Sequence, residues 1–172
     1  MQAGRRFEML AFFLKGAAVR FVVDVMLGRL SKWLRVLGFD ALYRSFDPIH
    51  AIGQMAKKGR TPLTRQRKLI PLLEGAVFIR DNHVGEQLAQ LKKGLPLEAH
   101  HAEWFSRCLL CNVPLMDAPE DVVRDNIPEY VFYKNINAIR FCPSCGRYFW
   151  PGSHRAGMED QLNNWGFFQA FS

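Results

Sequence analysis

Two pairs of thiols carry the clearest chemistry in the chain. Cys108-Leu-Leu-Cys111 and Cys142-Pro-Ser-Cys145 set four cysteines in C-x-x-C spacing, with about thirty residues between the pairs. One tight turn points both sulfurs of such a pair inward, and two pairs make a tetrahedral thiolate site for zinc. Gly146, directly after the second pair, admits the positive φ that brings backbone N–H groups onto the sulfurs and lowers the cost of their charge. Four thiolates leave no open position for substrate, so the zinc is structural. The long gap between the pairs is expected to hold an inserted hairpin. A thioredoxin-like redox pair is the rival reading, but it needs a single C-x-x-C beside a βαβ unit.

The second candidate chemistry belongs to oxygen. Mg²⁺ and Mn²⁺ prefer oxygen ligands, and a divalent-metal phosphodiesterase needs several carboxylates converging on one place. Asp24, Asp40, Asp47 and Asp81 are the candidates. Three have plain structural alternatives: Asp40 in a turn, and Asp47 and Asp81 as helix caps. Asp24 does not, because it follows the apolar run Phe21-Val22-Val23 where a buried strand ends.

The elements that must position these groups follow from periodicity. Phe21–Asp24 reads as a strand buried on both faces. Leu27, Leu30, Leu34 and Leu37 recur at helical spacing and stop at Gly38. Ala41–Tyr43 is a second strand, and Ile49, Ile52, Met55 and Ala56 mark a helix ended by Gly59. Thr61–Leu63 is a third strand weakened by Pro62. A short helical turn is expected within Arg65–Leu73, then a fourth strand over Gly75–Ile79 and a helix over Glu86–Lys93. This alternation predicts an α/β fold with a mostly parallel sheet covered by helices. In such sheets, sites form beyond the carboxyl ends of the strands, where Asp24, Thr64 and Asp81 fall.

Leu95–Ser106 reads as a connector with a boundary near Phe105. The expected domains are 20–94, carrying the sheet, and 107–158, carrying the cysteines. The aromatic tail after His154 (Trp165, Phe167, Phe168, Phe171) is expected to pack back on one of them.

The charge balance suits a polyanionic partner such as nucleic acid, and equally suits solubility alone. The 172 residues carry a net charge of +7, with 49% apolar and 23% charged residues, as in an ordinary soluble domain. Arg29, Lys32 and Arg35 share one helix on a face away from its leucines. Lys57, Lys58, Arg60, Arg65, Arg67 and Lys68 follow with no acid between them. Such runs are often only solvated faces; two of them flanking the candidate site, with Trp33 for stacking, suit a phosphate backbone. No stretch approaches the ~20 apolar residues of a membrane span. The short run Met9–Leu14 lies between Glu8 and Lys15, which argues against a signal peptide. The cytoplasm is therefore the expected compartment, where paired cysteines favour metal over disulfide.

Four segments, DVMLGRLSKWLRVLGFDALY, GRTPLTRQRKL, RCLLCN and CPSCGRYFWPGSH, resemble the PIN-like RNase family typified by the C-terminal domain of the Mut-seven exonuclease. The resemblance runs from about Phe21 to about Met158, whereas the first twenty or so residues do not match the family's start. It implies a PIN-like three-layer α/β/α domain followed by a zinc ribbon, and ribonuclease activity dependent on Mg²⁺ or Mn²⁺. Cys108, Cys111, Cys142 and Cys145 match its ribbon ligands, and Asp24 matches its first-strand acid. Gln66 stands in TRQR where the family shows TRDR. Asp47 alone lies near an expected acidic pair, and Asp81 falls near a later acid. A glutamine carbonyl can ligate a hard cation but brings no charge, so the implied site is depleted.

Two functions follow from this reading. One is a nuclease with Asp24, Asp47 and Asp81 as ligands, Gln66 as a neutral one, and Arg29, Lys32, Arg35 and Arg67 holding RNA. The other is a degenerate relative that binds RNA or a protein partner without cutting, with Thr64 and Arg65 positioning phosphate.

Overall fold

The computed structural model describes residues 19–95, 97 and 101–167. The chain divides into two compact units, one reaching to Asn112 and the other starting at Val113. The expected alternation holds in the first. Strand β1 (Arg20–Asp24) pairs in parallel with β2 (Asp40–Arg44) on one side and β3 (Arg60–Thr64) on the other, and a two-residue β4 (Val77–Phe78) adds to β3. The sheet order is β2-β1-β3-β4. Phe21, Val22 and Val23 are wholly buried, as an inner strand requires.

Helix α1 (Gly28–Val36) follows a 3₁₀ turn over Val25–Leu27, so the leucine stripe spans two elements. All four of its leucines are buried all the same. Gly38 does more than end the helix: its φ is +89°, and a Cβ there would collide with the Glu103 carbonyl. The expected connector thus packs closely on the first unit, with the Phe105 amide donating to the Val36 carbonyl at 2.7 Å. Helix α2 (Ile49–Lys57) contributes Ile52 to a cluster with Val22, Phe46, Leu69 and Leu73. Helix α3 (Val84–Gly94) begins two residues ahead of expectation and buries Leu88 and Leu91.

Pro62 lies in an inner strand, where a missing donor should be costly. Register explains its tolerance. The Ile79 amide donates to the Thr64 carbonyl, so Thr64 faces β4 with its main-chain groups. The two-residue period of a strand points the nitrogen of Pro62 to that same side. There β4 pairing begins only opposite Leu63, and no ladder bond is lost.

In the second unit β5 (Met116–Asp117), β6 (Arg140–Phe141) and β7 (Tyr148–Phe149) form a small antiparallel sheet. The gap between the cysteine pairs is not filled by the expected hairpin. It holds the antiparallel pair β5 and β6, separated by two short helices, α4 (Glu120–Asn126) and α5 (Glu129–Asn135), introduced by Pro119 and Pro128. A proline starts a helix at no cost in hydrogen bonds, since the first amides have no intrahelical partner. Val123, Phe132 and Ile139 make the core of this unit. Helix α6 (Ser153–Asn164) takes up most of the expected tail, while Phe168 and Phe171 lie outside the described residues. No helix among the described residues is long and apolar enough to cross a membrane.

Candidate functional site

The chain runs from β1 to β2 on one side and returns to β3 on the other, so the order of the strands reverses between β1 and β3. Ligand crevices of open parallel sheets lie at such switch points, beyond the carboxyl ends of the strands. Asp24 closes β1 at this place. It is 0 % exposed.

Three residues meet there. The Thr64 hydroxyl donates to Asp24 Oδ2 at 2.8 Å, and the Gln66 side-chain amide donates to the same oxygen at 3.0 Å. Thr64 Oγ1 in turn accepts the Gln66 main-chain amide at 3.1 Å, which fixes the hydroxyl proton toward the carboxylate. Gln66 therefore presents its nitrogen, not its carbonyl, since a carboxylate oxygen admits only a donor at that distance. The other carboxylate oxygen, Oδ1, is buried and has no hydrogen-bond partner among the described residues. Leaving a buried acceptor unmatched costs about 1–3 kcal/mol, and more when it is charged. Just beyond Asp24 the Tyr43 hydroxyl donates to the Val25 carbonyl at 2.9 Å and ties down the turn.

The remaining acids do not gather around this group. Among the described residues, the four cysteines are the one set of three or more His, Cys, Asp or Glu side chains close enough to share a metal ion. Asp47 is exposed, and the following helix is capped by Pro48 without a side-chain bond. Asp81 is half-buried, and its main-chain carbonyl accepts from the Gln87 amide at 2.9 Å. Neither makes the cap that a plain reading of its position offered.

Asp40 is structural. Arg60 grips it with two bonds of 2.8 and 2.7 Å, and Asn112 donates to it at 2.6 Å. Burial pushes the Asp40 carboxyl up, but the bonds from Arg60 and Asn112 outweigh it and hold the group below the usual carboxylate range.

The basic residues separate in the same way. Arg29, Lys32 and Arg67 are exposed, and Arg65 is half-buried with its guanidinium on Asn82 Oδ1 at 2.6 Å. Arg35, expected on the RNA-facing side of its helix, is only 4 % exposed. It donates to the carbonyls of Ala41, Leu109 and Leu110 at 2.7–3.0 Å, which takes it out of reach of a phosphate. Its role is to strap the first cysteine turn to the sheet.

Both cysteine turns follow one plan. After Cys145 comes Gly146 at φ +70°, with its amide donating to the Cys142 carbonyl at 2.9 Å. After Cys111 comes Asn112 at φ +66°, with its amide donating to the Cys108 carbonyl at 2.9 Å. Asparagine is among the few residues that accept this conformation, and here its side chain also serves Asp40 and the Ala41 amide. Reading CLLCN beside CPSCG is the signal that would have found it. The Cys111 amide approaches Cys108 Sγ at 3.4 Å. The four sulfurs lie within 4.8 Å of one another. Zinc–sulfur bonds of about 2.3 Å in a tetrahedron separate the sulfurs by about 3.8 Å, so this donor set fits a zinc ion.

A family model described as the Mut7-C RNAse domain matches residues 19–162. No curated protein and no solved structure gives a significant match. The matched stretch takes in the whole sheet, Asp24 with its two donors, and both cysteine turns. The chain belongs to the Mut7-C RNAse domain family.

Proposed function

We propose that this protein is a ribonuclease in which Asp24 is the principal protein ligand for a Mg²⁺ or Mn²⁺ ion that binds together with an RNA phosphate. Membership of an RNase-domain family points to a ribonuclease-type function with RNA as substrate or partner. The observation that carries the finer reading is the state of Asp24: one oxygen held by two donors, the other buried with none. Mg²⁺ is commonly held by one or two carboxylates plus substrate phosphates and does not need a full protein cage. A lone carboxylate with a free oxygen suits that arrangement, and Thr64 and Gln66 hold its plane fixed for the purpose. When bound, such an ion supplies charge stabilisation at the phosphoryl group and lowers the pKa of a bound water. The chain's own part is to fix Asp24 through two donors and to hold the RNA backbone with exposed basic residues such as Arg29, Lys32 and Arg67. The cysteine set holds a structural zinc, in a ribbon placed over residues 107–158 after a nuclease domain over 20–94.

A second reading rests on Gln66. Its amide gives Asp24 a donor where the family's acid would need a cation to relieve repulsion. A chain so satisfied can bind RNA, or a protein, without cutting.

Labelled single-stranded RNA incubated with Mn²⁺ decides between them. Wild type should cleave, and Asp24→Asn should lose at least about a hundredfold, the scale of one electrostatic catalytic group. Equal cleavage by the variant removes the Asp24 reading. Binding without cleavage under any divalent ion establishes the second.

A further inference from the structure

Phe78 lies in the edge strand β4 opposite Thr64, whose hydroxyl serves Asp24. Strands are spaced about 4.8 Å apart, so Phe78 stands two spacings, about 10 Å, from the strand that ends in Asp24. Beside it Arg67, Ile70, Pro71, Phe78 and Arg80 line an open concavity of about 450 Å³. The Arg67 guanidinium sits over the Phe78 ring, 5.0 Å from its centre. Arg67 and Arg80 are both exposed, and no carboxylate is among the lining residues.

The walls are built to stay in place. As the edge strand, β4 leaves main-chain groups without a neighbouring strand. Gln90 of α3 supplies the missing partner: its side-chain nitrogen donates to the Phe78 carbonyl at 2.6 Å, and its oxygen accepts the Arg80 amide at 3.0 Å. One primary amide thus stands in for a strand and sets the spacing between the ring and the second arginine.

We infer that this concavity holds one unpaired nucleotide of single-stranded RNA, its base stacked on the Arg67–Phe78 pair and its phosphate on Arg80. Unpaired bases are taken up by stacking on aromatic rings and guanidinium planes, and the backbone by nearby cations. An arginine braced on a ring, a second arginine and apolar floor residues provide both in one place. The inference rests on reading the chain as RNA-directed, and adds where the strand is gripped before it reaches Asp24. Stacking of this kind tolerates any base, so the site accounts for single-strand preference and not for sequence.

Equilibrium binding of a fluorescent single-stranded RNA in EDTA tests this without cleavage. Arg67→Lys keeps the charge but not the plane and should weaken binding about tenfold. Arg80→Ala should weaken it too and make the salt dependence shallower by about one counterion. Both side chains are exposed, so the variants fold, and circular dichroism checks this. On an abasic strand of equal length, wild type and Arg67→Lys should bind alike. Binding by Arg67→Lys equal to wild type, or a deficit that persists on the abasic strand, overturns the stacking site. Either result leaves the cleavage test of Asp24→Asn untouched. Conversely, a chain that never cleaves but shows these binding losses keeps this site and loses the nuclease.

Discussion

The two edges of one sheet treat an aspartate in opposite ways. At the amino edge Asp40 receives three hydrogen bonds, two from Arg60 and one from Asn112, across both carboxylate oxygens. At the carboxyl edge Asp24, more deeply buried, has one oxygen served twice and, among the described residues, the other not at all. Physical chemistry asks that a buried charge be paired. Asp40 meets the requirement and is a structural group. Asp24 departs from it at the switch point of the sheet, where ligands bind, and the function proposed above rests on that departure. Burial alone does not separate the two residues; the unmatched oxygen does.

The largest effect should come from the turn that supplies Asn112 to Asp40. Removing zinc with a chelator, or replacing Cys111 with serine, should unfold the ribbon, since structural zinc is worth about 10–16 kcal/mol of apparent binding free energy in small domains. Metal analysis of the native protein should find about one zinc per chain. A metal-free protein with unchanged thermal unfolding contradicts this. Next comes Arg60→Ala, which leaves Asp40 short of its main partner and should cost about 3 kcal/mol by chemical denaturation.

Asp40 also sets a pH dependence. Its folded pKa lies below the unfolded value, near 3.9 for an aspartate, so its stabilisation is complete above that value and is lost as pH falls through the folded pKa. Asp40→Asn should therefore flatten the acid limb of the stability curve below about pH 4. An unchanged acid limb sinks the assignment.

At the other edge Gln66→Asp replaces a donor with a second charge. In EDTA it should destabilise by about 2 kcal/mol, and Mn²⁺ should restore the loss. No recovery with Mn²⁺ shows that no cation reaches Asp24. The smallest effect is on Asp24 itself: Asp24→Asn removes a buried charge and should raise stability in EDTA by about 1 kcal/mol.

Much of this was legible in the sequence. An apolar strand ending in an acid placed Asp24, leucine spacing placed α1, and C-x-x-C spacing placed the four cysteines able to hold a metal ion, because each signal is local. Partnerships across strands were not local. Asp40 looked like a turn residue because its partners Arg60 and Asn112 are 20 and 72 positions away. Arg35 read as one of three surface cations, and only the packing of the first cysteine turn on α1 buries it. The family resemblance singles out Gln66, but whether it turns oxygen or nitrogen to the site depends on Asp24 being its neighbour. Helices α4 and α5 follow Pro119 and Pro128 in a gap where the sequence leads only to the expectation of a hairpin.

On the function proposed above, the unmatched oxygen of Asp24 is held ready for chemistry. Cleavage of single-stranded RNA with Mn²⁺ by Asp24→Asn and Asp40→Asn, each verified as folded, tests it most directly. The Asp24 variant should lose at least about a hundredfold while the Asp40 variant keeps wild-type cleavage at neutral pH. Equal activity in wild type and both variants contradicts it.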